Sequence, residues 1–321
     1  MRVLLALDGS PSSDAACQFV GSLTWPSGTI IQVIGVAEPA AELLAPLLVA
    51  APTIGNIDRQ MSLDLQAILD RAVRSLERPT IGVRATVLTG RPATLIVDAA
   101  RDFRAELVVV GSRGRGPLAS MVLGSVSAEV VDHARCAVLV VRHPAAERVL
   151  LAVDGSPSSY AAATYLATTR ILTRRPVEVL SVAPASDLPG AAPLSVISDF
   201  TIDSLEARRR EDREHAEGIA ANAAERLRDD GYQPRWSVAV GNPAHEIIEA
   251  ARCFGSGIIV MGSRGHTGLG RFLLGSVARN VLLHTPASVL IVREPTTVRA
   301  PEGAKRLEEE PAAEPAAAGA R

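Results

Sequence analysis

Val108–Ser125 reads VVVGSRGRGPLASMVLGS, and Ile259–Ser276 reads IVMGSRGHTGLGRFLLGS. Each stretch opens with an apolar run that ends in glycine, Gly111 or Gly262. A second glycine follows, Gly114 or Gly265, and a nine-residue spacer then leads to Gly124-Ser125 or Gly275-Ser276. The runs VVV and IVM have the character of parallel strands buried on both faces. A glycine at the strand end lets the chain turn with no Cβ in the way. The second glycine lets backbone N–H groups come close to a ligand. Gly-Ser opens a helix predicted over Ser125 to His133, and in the copy over Ser276 to His284. Unpaired N–H groups and the positive dipole end at such a start suit a phosphate, and the serine hydroxyl adds a donor. The carboxyl ends of the strands are also where open α/β sheets bind ligands. One G-x-x-G alone reads equally well as a turn; two copies in register, each with its Gly-Ser, point to a nucleotide site. No Gly-Lys-Ser/Thr follows, so this is not a P-loop, and the spacing differs from the dinucleotide G-x-G-x-x-G.

The duplication extends beyond the glycines. RVLLALDGSPSS at Arg2–Ser13 recurs as RVLLAVDGSPSS at Arg148–Ser159, an offset of 146 residues, whereas the glycine stretches are offset by 151. The five extra residues of the second half fall between its second and third strands. A repeat this long means two whole domains rather than a solenoid, and 321 residues accommodate them. We expect domains over 1–143 and 147–293 and a tail over 294–321.

Strands are predicted over Val3–Leu7, Ile30–Val36, Gly82–Leu88, Leu107–Val110 and Ala137–Val141. Their counterparts are Val149–Val153, Val177–Val182, Arg235–Val240, Ile258–Met261 and Ser288–Val292. Helices lie between them. Ser10 has the character of an N-cap with Pro11 at the first helical position. Ile57, Met61, Leu65, Ile68, Ala72 and Leu76 form one apolar helical face after a loop over Ala37 to Asn56. The corresponding helix, about Phe200 to Asp230, contains EARRREDREH from Glu206, read as a solvated, self-paired face. Alternating strands and helices imply an α/β fold of parallel sheets covered on both faces, with right-handed crossovers.

Hydrophobic residues make up 47% of the chain but aromatics only 3%, so the cores must be built from Val, Leu, Ile and Ala. The net charge of −2 gives no electrostatic case for nucleic acid. Cys17, Cys136 and Cys253 are far apart and read as buried free thiols in a reducing compartment. His133 and Cys136 have H-x-x-C spacing but no partner pair, so no metal site is assigned. Met1 leads straight into a strand, and the most apolar long stretch, Ala40 to Ile54, is short and interrupted by Glu42, Pro46 and Pro52. A cytoplasmic protein with no membrane segment is expected. The tail is rich in Pro, Ala and Glu and has too little apolar bulk to pack.

Both halves resemble the universal stress protein family, and the chain as a whole resembles a tandem two-domain member of its ATP-binding branch. The resemblance spans roughly Met1 to Arg293. It rests on V-L-L-A-x-D-G-S at each start, G-[RN]-P-A before the third helix, and G-x-x-G-x9-G-S before strand five. It implies two tandem Rossmann-like domains, each a five-stranded parallel sheet in the order 3-2-1-4-5, with an adenine nucleotide at the carboxyl ends. On that basis Asp8 and Asp154 would lie beside ribose and adenine. Val36 and Val182 would read the adenine edge through backbone groups. Gly111 and Gly114, with Gly262 and Gly265, would admit ribose and phosphates. Gly124-Ser125 and Gly275-Ser276 would bind the phosphates, and Arg113 and Arg264 could contact them. Asp8 and Asp154 could equally serve only their Asp-Gly turns, and the two valines could be plain core. His133 and His284 read as helix-end residues facing the dipole. The family often pairs domains through strand five, so an internal pseudo-dimer is expected, and a homodimer stays open.

Two departures stand out. Glu106 matches the acidic residue common before strand four, but the second half has Ser256-Gly257. The second half has Thr285-Pro286 before strand five, where the first has Ala134-Arg135.

The resemblance implies an ATP-binding stress-response protein whose binding event changes its shape or partner surface. Efficient phosphoryl transfer needs metal positioning, charge neutralisation and a group orienting the nucleophile. Neither loop contains lysine, and no acid or histidine is common to both, so no catalytic residue is assigned. Mg2+ beside the phosphates is compatible with this reading, without a dedicated ligand set. A slow ATPase or nucleotide hydrolase is the alternative, although the S-G-G-x-D-S loop of ATP pyrophosphatases is absent. A nucleotide-free, chaperone-like module is the other, against which the intact motifs argue. The loops Ala37–Asn56 and Ala183–Asp199 are expected to flank the site or a partner surface.

Overall fold

The computed structural model describes residues 1–39, 51–114, 123–185, 199–265 and 274–294. The first half runs β1 (Arg2–Ala6), α1 (Pro11–Ser22), β2 (Thr29–Ala37), α2 (Ala51–Leu76), β3 (Ile81–Thr89), α3 (Pro92–Asp102), β4 (Leu107–Gly111), α4 (Ser125–His133) and β5 (Ala137–Val141). The second half repeats it as β6 (Val149–Val153), α5 (Pro157–Thr169), β7 (Val177–Ala183), α6 (Asp199–Asp229), β8 (Arg235–Val240), α7 (Pro243–Phe254), β9 (Ile258–Gly262), α8 (Ser276–His284) and β10 (Ser288–Val292).

Within each half the strand order is the expected 3-2-1-4-5, with all neighbours parallel. The two sheets join into one of ten strands, β3-β2-β1-β4-β5-β10-β9-β6-β7-β8. The join is antiparallel, with Val289 opposite Val140, Leu290 opposite Leu139 and Ile291 opposite Val138. Every residue of β4, β5, β6, β9 and β10 is buried. The unbroken apolar runs in the sequence reflect helices covering both faces. The outer strands differ. In β3, half-buried and exposed residues alternate along most of the strand, and β8 has no buried residue, as expected of sheet edges. One face packs against α1, α2, α5 and α6 through Phe19, Leu69, Leu166 and Ala220. The other packs against α3, α4, α7 and α8 through Ile96, Val130, Ile247 and Val281.

Two expectations need correction. Helix α2 starts at Ala51 rather than near Ile57. Pro52 falls in its first turn, where proline is tolerated because its missing N–H has no intrahelical partner. The thiols are not uniformly buried: Cys253 is exposed and the other two are intermediate. Cys253 sits two residues after the buried Ala251 on α7, and at helical pitch that places it on the outer face. Residues 40–50 and 186–198 of the two expected flanking loops, and the tail from 295, lie outside the described residues. The EARRREDREH segment is exposed along nearly all its length, as expected of a solvated face.

Among the described residues, no helix is long and apolar enough to cross a membrane.

Candidate functional site

Each half turns sharply after its first strand. Asp8 Oδ1 accepts the Ser10 N–H at 2.9 Å, and Ser10 Oγ caps α1 by accepting the Ser13 N–H at 3.2 Å. In the second half Asp154 Oδ1 accepts the Ser156 N–H at 2.9 Å, and Ser156 Oγ accepts the Ser159 N–H at 3.2 Å. The turn therefore uses Oδ1 in both halves. The second carboxylate oxygen lies against the glycine loop. A Cβ on Gly114 would sit 2.9 Å from Asp8 Oδ2, and one on Gly265 would sit 2.7 Å from Asp154 Oδ2. In the first half the capping serine holds the loop, Ser10 Oγ donating to Arg113 O at 3.2 Å; in the second Ser156 Oγ lies 2.6 Å from Asp154 Oδ1, to which it donates, and 3.3 Å from Arg264 O.

The first glycine of each motif answers to packing. A Cβ on Gly111 would lie 2.7 Å from the carbonyl carbon of Ser12, and one on Gly262 2.6 Å from that of Ser158. These glycines let the starts of α1 and α5 lie directly on the strand ends. The requirement for glycine there comes from the fold, whereas at Gly114 and Gly265 it comes from the carboxylate.

The loops then fold back. Gly124 N–H donates to Ser112 O at 2.7 Å and Gly275 N–H to Ser263 O at 2.8 Å. This brings the starts of α4 and α8 beside the strand ends. Both helices have a glycine N-cap in extended conformation with no side-chain cap. Their first-turn amides are thus not taken by a capping side chain, in contrast to α1, α5 and α7.

The second strands overrun the first. Leu7 N–H donates to Ile34 O at 2.9 Å just past the end of β1, while β2 continues to Ala37. Strand alternation puts the backbone groups of Val36 on the same side as those of Ile34, beyond the end of β1. Val182 stands in the same relation to β6, whose pairing with β7 ends at Ser181.

These elements enclose a cavity of about 330 Å3 in the second half. Asp154, Val182, Gly262, Arg264, Gly265, Gly275 and Ser276 all line it. The seven second-half residues singled out in the sequence thus meet in one place. In the first half the same contacts join Asp8, Gly111, Arg113, Gly114 and Gly124, with Ser125 opening α4 and Val36 on the overrunning strand. The cavity also has an apolar wall, Leu180, Ile247, Met261 and Leu274, that the sequence reading missed. These residues carry the same pattern as any core residue. Only their closeness to G-N-P-A and to Gly262 and Gly275 marked them.

His133 and His284 fold onto their own helices, with Nδ1 2.8 Å from Glu129 O and Asn280 O. Among the described residues no group of three or more His, Cys, Asp or Glu could hold a metal.

A doubly wound α/β unit, present twice and carrying a glycine loop and an uncapped helix start at the carboxyl ends of its strands, defines a tandem Rossmann-like protein. The model of the universal stress protein family matches residues 1–142 and 146–293, and the chain belongs to that family. It is 28% identical over 316 residues to Universal stress protein Rv2005c of Mycobacterium tuberculosis, covering 91% of this chain and 97% of that one. A universal stress protein of Mycolicibacterium smegmatis is 28% identical over 306 residues, covering 91% and 96%. Among solved structures, a universal stress protein from Archaeoglobus fulgidus superposes with a TM-score of 0.62 at 21% identity, covering 91% of this chain and 98% of that one.

Proposed function

We propose that this protein is a cytoplasmic ATP-binding universal stress protein, with one adenine-nucleotide site in each half and a regulatory rather than metabolic role. The observation that carries the reading is the cavity, in which all seven expected second-half residues converge. Its apolar wall suits a purine ring, and its few polar groups sit where they can orient one. Backbone groups of Val36 and Val182, aimed past the ends of β1 and β6, suit the adenine edge. Oδ2 of Asp8 or Asp154 suits a ribose hydroxyl. The uncapped amides at Ser125 and Ser276 suit phosphate oxygens, and a guanidinium from Arg113 or Arg264 adds charge. Because the described residues offer no cluster of metal ligands, Mg2+ would depend on the phosphates themselves.

The two sites are alike but not identical. Where Ala278 lines the second cavity, the first half has Ser127, whose Oγ donates to Gly111 O at 2.7 Å. Met261 stands where the first half has Val110.

ATP titration by calorimetry, after stripping any co-purified nucleotide, tests the reading. Two binding events are expected, with Asp8→Ala removing one and Asp154→Ala the other. Following phosphate release in the same samples separates binding from slow hydrolysis. A wild-type chain that takes up no ATP would sink the proposal.

A further inference from the structure

Each glycine loop is tied to a strand whose next residue is an arginine reaching into the other half. In the first half Ser112 N–H donates to Val141 O at 2.8 Å. The following residue, Arg142, sends its guanidinium across the β5–β10 join. Its Nη2 donates to Leu282 O at 2.6 Å and its Nη1 to Ala287 O at 3.4 Å. Leu282 lies in the last turn of α8. The second half mirrors this: Ser263 N–H donates to Val292 O at 2.9 Å, and Arg293 Nη2 donates to Val131 O and, at 3.0 Å, to Asp132 O. Those carbonyls belong to the last turn of α4. At the opposite helix ends, Gly124 and Gly275 return to Ser112 and Ser263. The connections therefore form a closed ring: first loop, Arg142, α8, second loop, Arg293, α4, and back to the first loop.

The chemistry of these ties is favourable. Carbonyls of a last helical turn lack intrahelical partners, and a cation there also matches the dipole. Burial pushes Arg142 down to about 10, with Arg113 nearby adding to the fall, so it stays cationic at neutral pH. Arg279 Nη2 adds a one-sided ion pair to Asp132 Oδ1 at 2.8 Å. The duplicated positions are Ala128 and Leu283, and all four residues line a small cavity of about 50 Å3 between the helices, together with Leu123 and Leu274. Leu274 lines this cavity and the larger one alike.

We infer that Arg142 and Arg293 are positioning residues in trans, each holding the phosphate-binding helix of the other half, so that filling one nucleotide site favours filling the other. This rests on the nucleotide reading above. Neither arginine needs to touch the ligand. A ligand held at one helix start fixes that half's strand end and arginine, and so reduces the ordering left to be done at the second helix.

The test uses the full chain with one site blocked by Gly265→Val or by Gly114→Val, and ATP as the probe. With the second site blocked, Arg293→Met is expected to weaken binding at the first site by roughly fivefold or more. In the same background Arg142→Met should have the smaller effect, because it reaches the first site only through its field on Arg113 and not through α4. With the first site blocked, the order reverses. Arg293→Lys should recover part of the loss. Equal losses from both arginines in both backgrounds, or none from either, would overturn the inference. Hydrogen exchange without nucleotide gives a separate reading. Arg293→Met should speed exchange of the Ala134 amide, bonded to Val130 O at 2.9 Å, but not of the Thr285 amide, bonded to Val281 O at 2.9 Å. If no chain binds ATP, the coupling falls with the nucleotide reading, and exchange still decides the positioning. Unchanged exchange alongside normal ATP binding overturns the positioning alone.

Discussion

The carboxylate of Asp154 lies so close to Gly265 that a Cβ there would stand 2.7 Å from its Oδ2, and Asp8 and Gly114 repeat the relationship at 2.9 Å. The carboxylate cannot simply swing aside, because its other oxygen is held by the turn. Gly265→Ala or Gly114→Ala should therefore displace the group proposed to meet the ribose while leaving the fold largely intact. We predict a loss of about tenfold in nucleotide affinity at the altered site, or about 1.4 kcal/mol. The thermal midpoint should move little. A midpoint that collapses while affinity holds would place these glycines in the fold instead.

Gly111 and Gly262 should behave in the opposite way. A methyl at either meets backbone at the start of α1 or α5, at 2.7 Å and 2.6 Å, and backbone cannot yield as a side-chain tip can. Gly111→Ala or Gly262→Ala is predicted to destabilise the chain by about 1–3 kcal/mol, as overpacking does. Denaturant midpoints check this, and an unchanged midpoint would contradict it.

The join between the halves should make unfolding a shared event. Leu290 is 1% exposed and faces Leu139 across β10 and β5. Leu290→Ala should cost about 2–5 kcal/mol. Because the strand belongs to a sheet common to both halves, one transition is expected to shift as a whole. Two separate transitions, only one of them moved, would show that the halves unfold independently.

The thiols give a check on burial. Burial pushes the Cys136 thiol up to about 11, and also raises that of Cys17, whereas Cys253 is exposed. Iodoacetamide at pH 8 reacts with thiolate, so Cys253 should be alkylated first and Cys136 last. Equal rates in the native protein would contradict the placement.

Much of this was legible before the structure. The two apolar runs before Gly111 and Gly262 gave the central strands, because strands covered on both faces carry no polar alternation. The exact repeat of D-G-S-P-S-S gave two equivalent turns and helix starts. What stayed hidden was what depends on contact between distant segments. Gly257 read only as a departure beside Glu106. In the fold a Cβ there would lie 2.7 Å from Ala146 Cα, so the linker between the halves demands glycine. In the first half Glu106 Oε2 instead accepts the Arg2 N–H at 2.7 Å. The arginines after β5 and β10 do recur, as V-R-x-P at Val141–Pro144 and Val292–Pro295, but nothing in that repeat names their partners, which are carbonyls that any residue supplies. The apolar wall of the cavity was hidden for the same reason: Ile247 and Met261 look like core until the space beside them is seen.

The most direct test of the central claim is the nucleotide content of the freshly purified protein. It would be denatured, and the released small molecules separated and counted per chain as ATP, ADP and AMP. Two adenine nucleotides per chain are predicted, mostly ATP, falling to one in Gly114→Val or Gly265→Val and to none in the double variant. Mostly ADP would shift the role toward slow hydrolysis. No nucleotide, and none bound when ATP is added, would contradict the account and leave the paired glycine loops as turns of the fold.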